Sequence, residues 1–114
     1  MSGVSTHVLD VALGRPAKDV RVRLERREIS GTWRPLASAL TDEDGRCAQL
    51  LATDHALEPG LYRLAFETAG YFASQNTEGL YPLVEVTFQV RNGEERFHIP
   101  LLLTANGYTT YRGS

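Results

Sequence analysis

The side chains of this chain that could do chemistry are few, and three of them are histidines. His7 stands in "STHVLDVAL", His55 in "TDHALEPG" and His98 in "FHIPLLL". An imidazole changes charge near neutral pH, so each can carry a proton. His55 lies in a polar, turn-bound segment and reads as an exposed loop residue. His7 shares a strand face with Leu9 and Val11, a pattern that equally suits a structural imidazole hydrogen-bonded in a packed strand. His98 interrupts the most hydrophobic strand of the chain. Alternation turns it away from Phe97, Ile99 and Leu101, toward a side that also holds Pro100 and Leu102. An outward face of His, Pro and Leu suits a subunit contact better than water, so association through this strand is expected.

The closing "YTTYRGS" is equally conspicuous. Chain ends commonly fray, yet Tyr111 offers a phenol, Arg112 a permanent cation with forked donors, and Ser114 a hydroxyl. Arg46 follows the Asp44-Gly45 turn and precedes Cys47, Leu50 and Leu51. Taken alone it fits an exposed hairpin arginine. The histidines lack the short spacings of zinc ligand sets and there is no cysteine cluster, so no metal is expected. Ser114 has no G-x-S-x-G elbow around it, and no glycine-rich phosphate loop is visible.

Something must hold these groups in place. The 114 residues suit one domain spanning 1–114, and 42% hydrophobic residues supply enough apolar surface for one core. Cys47 is the lone cysteine, so no disulfide within the chain is expected. Twelve Lys and Arg against fourteen Asp and Glu leave a net charge of −2. The basic residues are scattered, which removes the electrostatic footprint of nucleic-acid binding; "RVRLERRE" alternates with Val22 and Leu24 as a solvated strand face does. No apolar run approaches the roughly 18 residues of a membrane span, and the first residues lack the order of a secretory leader. A soluble, cytoplasmic protein is expected.

Period two runs through nearly the whole sequence. Val20, Val22 and Leu24 oppose Arg21, Arg23 and Glu25; Tyr62, Leu64 and Phe66 share a face; Val84, Val86, Phe88 and Val90 oppose Glu85, Thr87 and Gln89; Phe97, Ile99, Leu101 and Leu103 share another. "LGRPA", "DEDGR", "EPG" and "RNGEE" supply the turns. The reading is a mainly β protein of about eight strands in two antiparallel sheets packed face to face. One short helix is predicted around "TAGYFASQNTEG", with Tyr71 and Phe72 docking on the sheets and Gly79 ending it.

"STHVLDVALGRPAKDVRVRLER", the "DGR" of Asp44–Arg46, "PGLYRLAFETAGYF" and "YPLVEVTFQV…FHIPLLL…GYTTYRGS" together resemble the transthyretin-related 5-hydroxyisourate hydrolases. The likeness covers essentially the whole chain, and the terminal Tyr-Arg-Gly-Ser is its most specific mark. It implies a transthyretin-like sandwich assembled as a homotetramer, a dimer of dimers, with clefts in a channel between the dimers. It implies catalytic roles for His7, Arg46, His98 and Ser114, and substrate contacts from His7, Arg46, Tyr111, Arg112 and Gly113, with no cofactor. The tail would then be held in the intersubunit cleft. The implied reaction opens a cyclic acyl-urea bond of 5-hydroxyisourate, the product of urate oxidation, giving 2-oxo-4-hydroxy-4-carboxy-5-ureidoimidazoline. Two stretches depart from the family: "TAN" at Thr104–Asn106 stands where many relatives carry a Ser-Pro-aromatic stretch, and Arg96-Phe97 where relatives often have an aromatic and a second His. The alternative is a small-molecule carrier like transthyretin itself, which binds thyroid hormone in the equivalent channel. A carrier wants an apolar channel and has no use for two histidines, an arginine and a Tyr-Arg-Gly-Ser end.

Overall fold

The computed structural model describes residues 2–54 and 56–114. Its organising element is β1 (Ser2–Asp10), which buries Val4, Thr6, Val8 and Asp10 and leaves Ser5, His7 and Leu9 half-exposed on the opposite face. After it come β2 (Arg15–Pro16), β3 (Arg21–Arg27), β4 (Trp33–Leu40), β5 (Arg46–Thr53), β6 (Gly60–Glu67), α1 (Thr68–Ser74), β7 (Val84–Val90), β8 (Arg96–His98), β9 (Leu101–Thr104) and β10 (Gly107–Thr110). One sheet runs β4-β3-β6-β7, antiparallel throughout. In the other, β1 is central. It pairs antiparallel with β5 and β2 and parallel with β8 and β9, while β10 folds back on β9.

The two parallel pairings are a departure from the all-antiparallel expectation. The chain leaves β7 in one sheet and crosses to the other before forming β8, so no hairpin forces β8 to oppose β1. The strand count also exceeds eight, reaching ten among the described residues. Part of the excess arises where "FHIPLLLT" breaks into β8 and β9 at Ile99-Pro100, because Pro100 has no N–H to give to a ladder. Thr6 secures that break: its hydroxyl donates to the Ile99 carbonyl (2.6 Å), and the Ile99 N–H donates to the Ser5 carbonyl (3.0 Å).

The inward residues of both sheets form one cluster in which Val4, Val8, Val22, Leu24, Leu64, Phe66, Leu101 and Leu103 are almost wholly buried. Burying side chains of this size is worth about 1.5–3 kcal/mol each before the entropy of ordering them is counted. Toward one end of the sandwich, Tyr62, Phe88 and Phe97 follow one another with ring centroids 5.8 and 5.4 Å apart.

The helix is shorter than the sequence suggests. It ends at Ser74, with Asn76 in the left-handed region (φ 53°) and the Thr77 and Asn76 N–H groups returning to the Phe72 and Ala73 carbonyls. That closure satisfies the last turn without a glycine. Gly79 has another job: a Cβ there would lie 2.4 Å from the Phe72 ring. Tyr71 ties the helix to β1, its hydroxyl donating to the buried Asp10 carboxylate (2.6 Å), which also accepts the Leu13 N–H (3.0 Å). Burial, followed by Asp10, pushes the Tyr71 phenol well above its ordinary range, so it stays a donor. No helix among the described residues is long and apolar enough to cross a membrane.

Tyr71→Phe removes one of the two donors to a buried carboxylate. We expect it to lower unfolding stability by about 1–3 kcal/mol in urea denaturation; an unchanged midpoint would show that the bond contributes nothing to docking the helix.

Candidate active site

The pairings of β1 assemble the site. Arg46 on β5 is the cross-strand partner of His7, and His98 on β8 is the partner of Ser5. Because Ser5 and His7 are two apart on one strand, all four residues face the same side, the outer face of the six-stranded sheet.

The "DGR" turn fixes one end of this group. The Asp42 carboxylate accepts the N–H groups of Asp44 and Arg46, both at 2.9 Å, and the Asp42 carbonyl accepts the Gly45 N–H, also at 2.9 Å. Gly45 has φ 76° and lies so close to β1 that a Cβ would come within 2.3 Å of the Val8 carbonyl oxygen. Only glycine satisfies both conditions. The turn is further clipped by the Val8 N–H donating to the Gly45 carbonyl (2.7 Å), and this brings the Asp44 carbonyl to His7 Nε2 at 2.8 Å. A carbonyl can only accept, so Nε2 carries the hydrogen and Nδ1 of the neutral ring keeps its lone pair.

Beside these residues lies a cleft of about 530 Å³. Ser5, Arg46, Gln49, Arg96, His98 and Ser114 give it polar walls, and Leu51 and Ala52 contribute apolar surface. Three residues of β5, Ala48–Leu50, oppose the single residue Ser5 between the pairs Val4–Leu51 and Thr6–Cys47. Strand irregularities of this kind re-aim side chains, and Ala48 and Gln49 reach the cleft wall here. Burial first, then Arg46 and His7, lower the pKa of His98. Protonating it would set a second cation beside the permanent charge of Arg46.

The tail is anchored by its own chain. The Gly113 N–H donates to the His98 carbonyl at 2.7 Å, and a Cβ at Gly113 would lie 2.6 Å from His98 Cδ2, so the backbone passes directly over the imidazole edge. Gly113 and Ser114 thereby enter the cleft lining. Tyr111 and Arg112 go elsewhere. The Arg112 guanidinium sits 4.4 Å from the Phe97 ring centroid and donates to the Glu94 carboxylate and the Arg96 carbonyl, both at 3.2 Å. The Arg91 N–H chiefly, and then Arg112, hold the Glu94 carboxyl below its ordinary range. Tyr111 is 56% exposed and borders a smaller hollow of about 180 Å³ with Val86, Phe88 and Ile99. His7, Tyr111 and Arg112 therefore lie outside the lining of the larger cleft, while Arg46, His98, Gly113 and Ser114 are part of it.

Ser5 was not among the residues singled out from the sequence, although its position two residues before His7 places it on the same face. Its Oγ is 2.8 Å from His98 Nδ1. Gln49 gave no signal, because its place in the cleft comes from the irregularity in β5. Cys47 faces the core, and burial followed by Asp42 raises its thiol pKa. Among the described residues no group of three or more His, Cys, Asp and Glu could hold a metal ion. His55 lies outside the described residues.

The chain matches the model of the HIUase/Transthyretin family over residues 4–113. It is 45% identical over 114 residues to the 5-hydroxyisourate hydrolase of Mus musculus, covering 99% of this chain and 96% of that one. Its structure superposes on Klebsiella pneumoniae 5-hydroxyisourate hydrolase with a TM-score of 0.86 and 38% identity, covering 100% of both chains. It superposes on transthyretin from Sparus aurata with a TM-score of 0.90 and 27% identity, covering 99% of this chain and 97% of that one.

The charge arrangement makes a measurable statement. His98 is expected to titrate below the ordinary imidazole value of about 6.5 and to be neutral at pH 7. Arg46→Met removes a neighbouring cation, so the midpoint should rise. NMR titration of the His98 ring in both proteins checks it, and a midpoint that falls or stays fixed in the variant contradicts the reading.

Proposed function

The chain belongs to the HIUase/Transthyretin family, and from that premise we propose that His7, Arg46, His98 and the Gly113–Ser114 end carry out its hydrolase chemistry in the cleft beside β1. The activity is hydrolysis of 5-hydroxyisourate, a step of urate degradation. The observation that carries the site assignment is the β1 pairing, which sets a guanidinium and two imidazoles on one sheet face next to a polar cleft.

Ring opening by water has a fixed balance of atoms. The water oxygen adds to the cyclic acyl-urea carbonyl carbon, the carbonyl oxygen gains negative charge, and the carbon–nitrogen bond of the ring then breaks. One proton must leave the water and one must reach the departing nitrogen. An imidazole pair provides both transfers, one ring accepting while the other donates. Arg46, held opposite His7, supplies a fixed cation and planar donors for the carbonyl oxygen as charge develops. Burial, and after it the neighbouring Arg46 and His7, lower the His98 pKa and favour its neutral form at working pH.

Gly113 and Ser114 line the cleft, and in this reading the Ser114 hydroxyl orients water or a ring heteroatom. Tyr111 and Arg112 contribute substrate contacts in this reading. The anchoring of Arg112 on Phe97 and Glu94 supports a further contribution, which is to seat the last two residues. The cleft is open on the outer face of the sheet, and the reading includes a homotetramer, a dimer of dimers, in which other copies cover that face. It also takes the chain as one domain working in the cytoplasm, without metal. A carrier on the same fold is disfavoured by the polar wall of Ser5, Arg46, Gln49, Arg96, His98 and Ser114, which does not match an apolar ligand.

Purified protein treated with chelator should speed the ultraviolet decay of freshly made 5-hydroxyisourate. His98→Ala should lower kcat by about 10²–10⁴-fold, the usual contribution of a proton-transfer residue. A variant with wild-type turnover removes His98 from the mechanism. Deleting Tyr111–Ser114 should abolish most turnover while leaving the thermal transition in place; a deletion that unfolds the protein assigns the tail to stability instead. Sedimentation of the intact protein should give a particle near four times 12.7 kDa, and a monomer would reject the assembly.

A further inference from the structure

The two imidazoles of the site are held by different partners. His7 gives its Nε2 hydrogen to the Asp44 carbonyl, which leaves Nδ1 as its accepting atom. His98 meets Ser5 through Nδ1 instead, with Oγ at 2.8 Å. A hydroxyl and a ring nitrogen can share a hydrogen in either sense, so the direction depends on what else each atom can reach. No other hydrogen-bond partner of Ser5 Oγ is found among the described residues. The half-buried hydroxyl therefore has Nδ1 as its nearby acceptor, and donating to it satisfies both atoms.

We propose that Ser5 is a positioning residue: its hydroxyl donates to His98 Nδ1 and fixes the neutral ring with its hydrogen on Nε2. The inference rests on the hydrolase reading above and deepens it. With Nε2 protonated, His98 is the donor of the pair, and His7, with a free Nδ1, is the acceptor. His7 then takes the proton from water; that proton, passed on from the His7 imidazolium, replaces the Nε2 hydrogen that His98 gives to the departing ring nitrogen, so both rings end neutral. The geometry around His98 agrees with this division. Nε2 is bonded to Cδ2, the ring atom over which Gly113 passes, so the donating edge lies beside the Gly113–Ser114 segment that lines the cleft. Each ring is thus held through one nitrogen, by a backbone carbonyl in one case and a serine hydroxyl in the other.

The test is a long-range proton–nitrogen NMR spectrum of the full-length protein carrying ¹⁵N-labelled histidine, recorded without substrate at a pH where both rings are neutral. His98 signals are identified by their loss in His98→Ala. The expected result is an Nε2–H tautomer for His98 in the wild type and a mixture of tautomers in Ser5→Ala. In the hydrolase assay Ser5→Ala should lower kcat by about tenfold or more with KM within about twofold, and Ser5→Thr, which keeps the hydroxyl, should restore most of the rate. A wild-type His98 with its hydrogen on Nδ1 overturns the proposal, as does a Ser5→Ala protein with unchanged tautomer and kcat. If Ser5→Ala fails to fold, the wild-type spectrum still decides the tautomer. A protein that shows the expected tautomers but does not hydrolyse 5-hydroxyisourate overturns the functional reading and leaves the role of Ser5 standing.

Discussion

β1 is hydrogen-bonded on both edges along its length, to β5 and β8 over its first half and to β2 and β9 over its second. That arrangement leaves its residues only two directions. Val4, Thr6, Val8 and Asp10 go into the core, and Ser5 and His7 go out. A slip of one residue in either neighbour would send Arg46 or His98 to the opposite face. The site therefore depends on register, and register depends on burial: the inward set of β1 holds two valines almost wholly removed from water, together with two polar residues whose bonds are all made inside. The same residues that stabilise the sandwich set the positions of the imidazoles.

Polar groups in this core are few and each has a structural assignment. Among the described residues, Thr6 bonds across the break between β8 and β9, Asp10 receives the helix, Thr41 donates to the Ala17 carbonyl while accepting the Val20 N–H, and Thr68 donates to the Tyr81 carbonyl. All four act where the chain changes direction or layer. An unpaired buried polar group would cost about 1–3 kcal/mol, so these bonds favour one connectivity over its competitors. The exposed pair of Arg112 and Glu94 is different in kind. A solvated ion pair contributes little, so the seat of the tail comes mainly from the Phe97 ring under the guanidinium and from the Gly113 backbone bond.

The strands of the sandwich were legible because alternation is a local signal. Val20, Val22 and Leu24, or Tyr62, Leu64 and Phe66, declare their face without reference to the rest of the chain. The pairing of β1 with β8 and β9 was not legible, since a parallel neighbour 93 residues away leaves no mark on local pattern. The helix was placed correctly and drawn too long. Gly79 looked like its stop, but Asn76 adopts the left-handed turn and Gly79 is small to admit the Phe72 ring. At the candidate site, His98 and the tail stood out by residue type, whereas the opposition of His7 and Arg46 across two strands emerges only from register. The division of the tail, with Arg112 on Phe97 and Ser114 in the cleft, depends on side-chain direction at the open end of the sandwich and had no sequence signature.

The partner of His7 is a main-chain atom. Replacing the side chain of Asp44 does not delete that carbonyl, so a scan that truncates residues one at a time passes over the contact in silence. This contact itself makes no demand on the side chain at position 44. It does make one on Gly45, whose left-handed conformation and tight approach to Val8 aim the oxygen. The constraint is thus displaced by one position from the group that exerts it, onto a residue with no functional group at all.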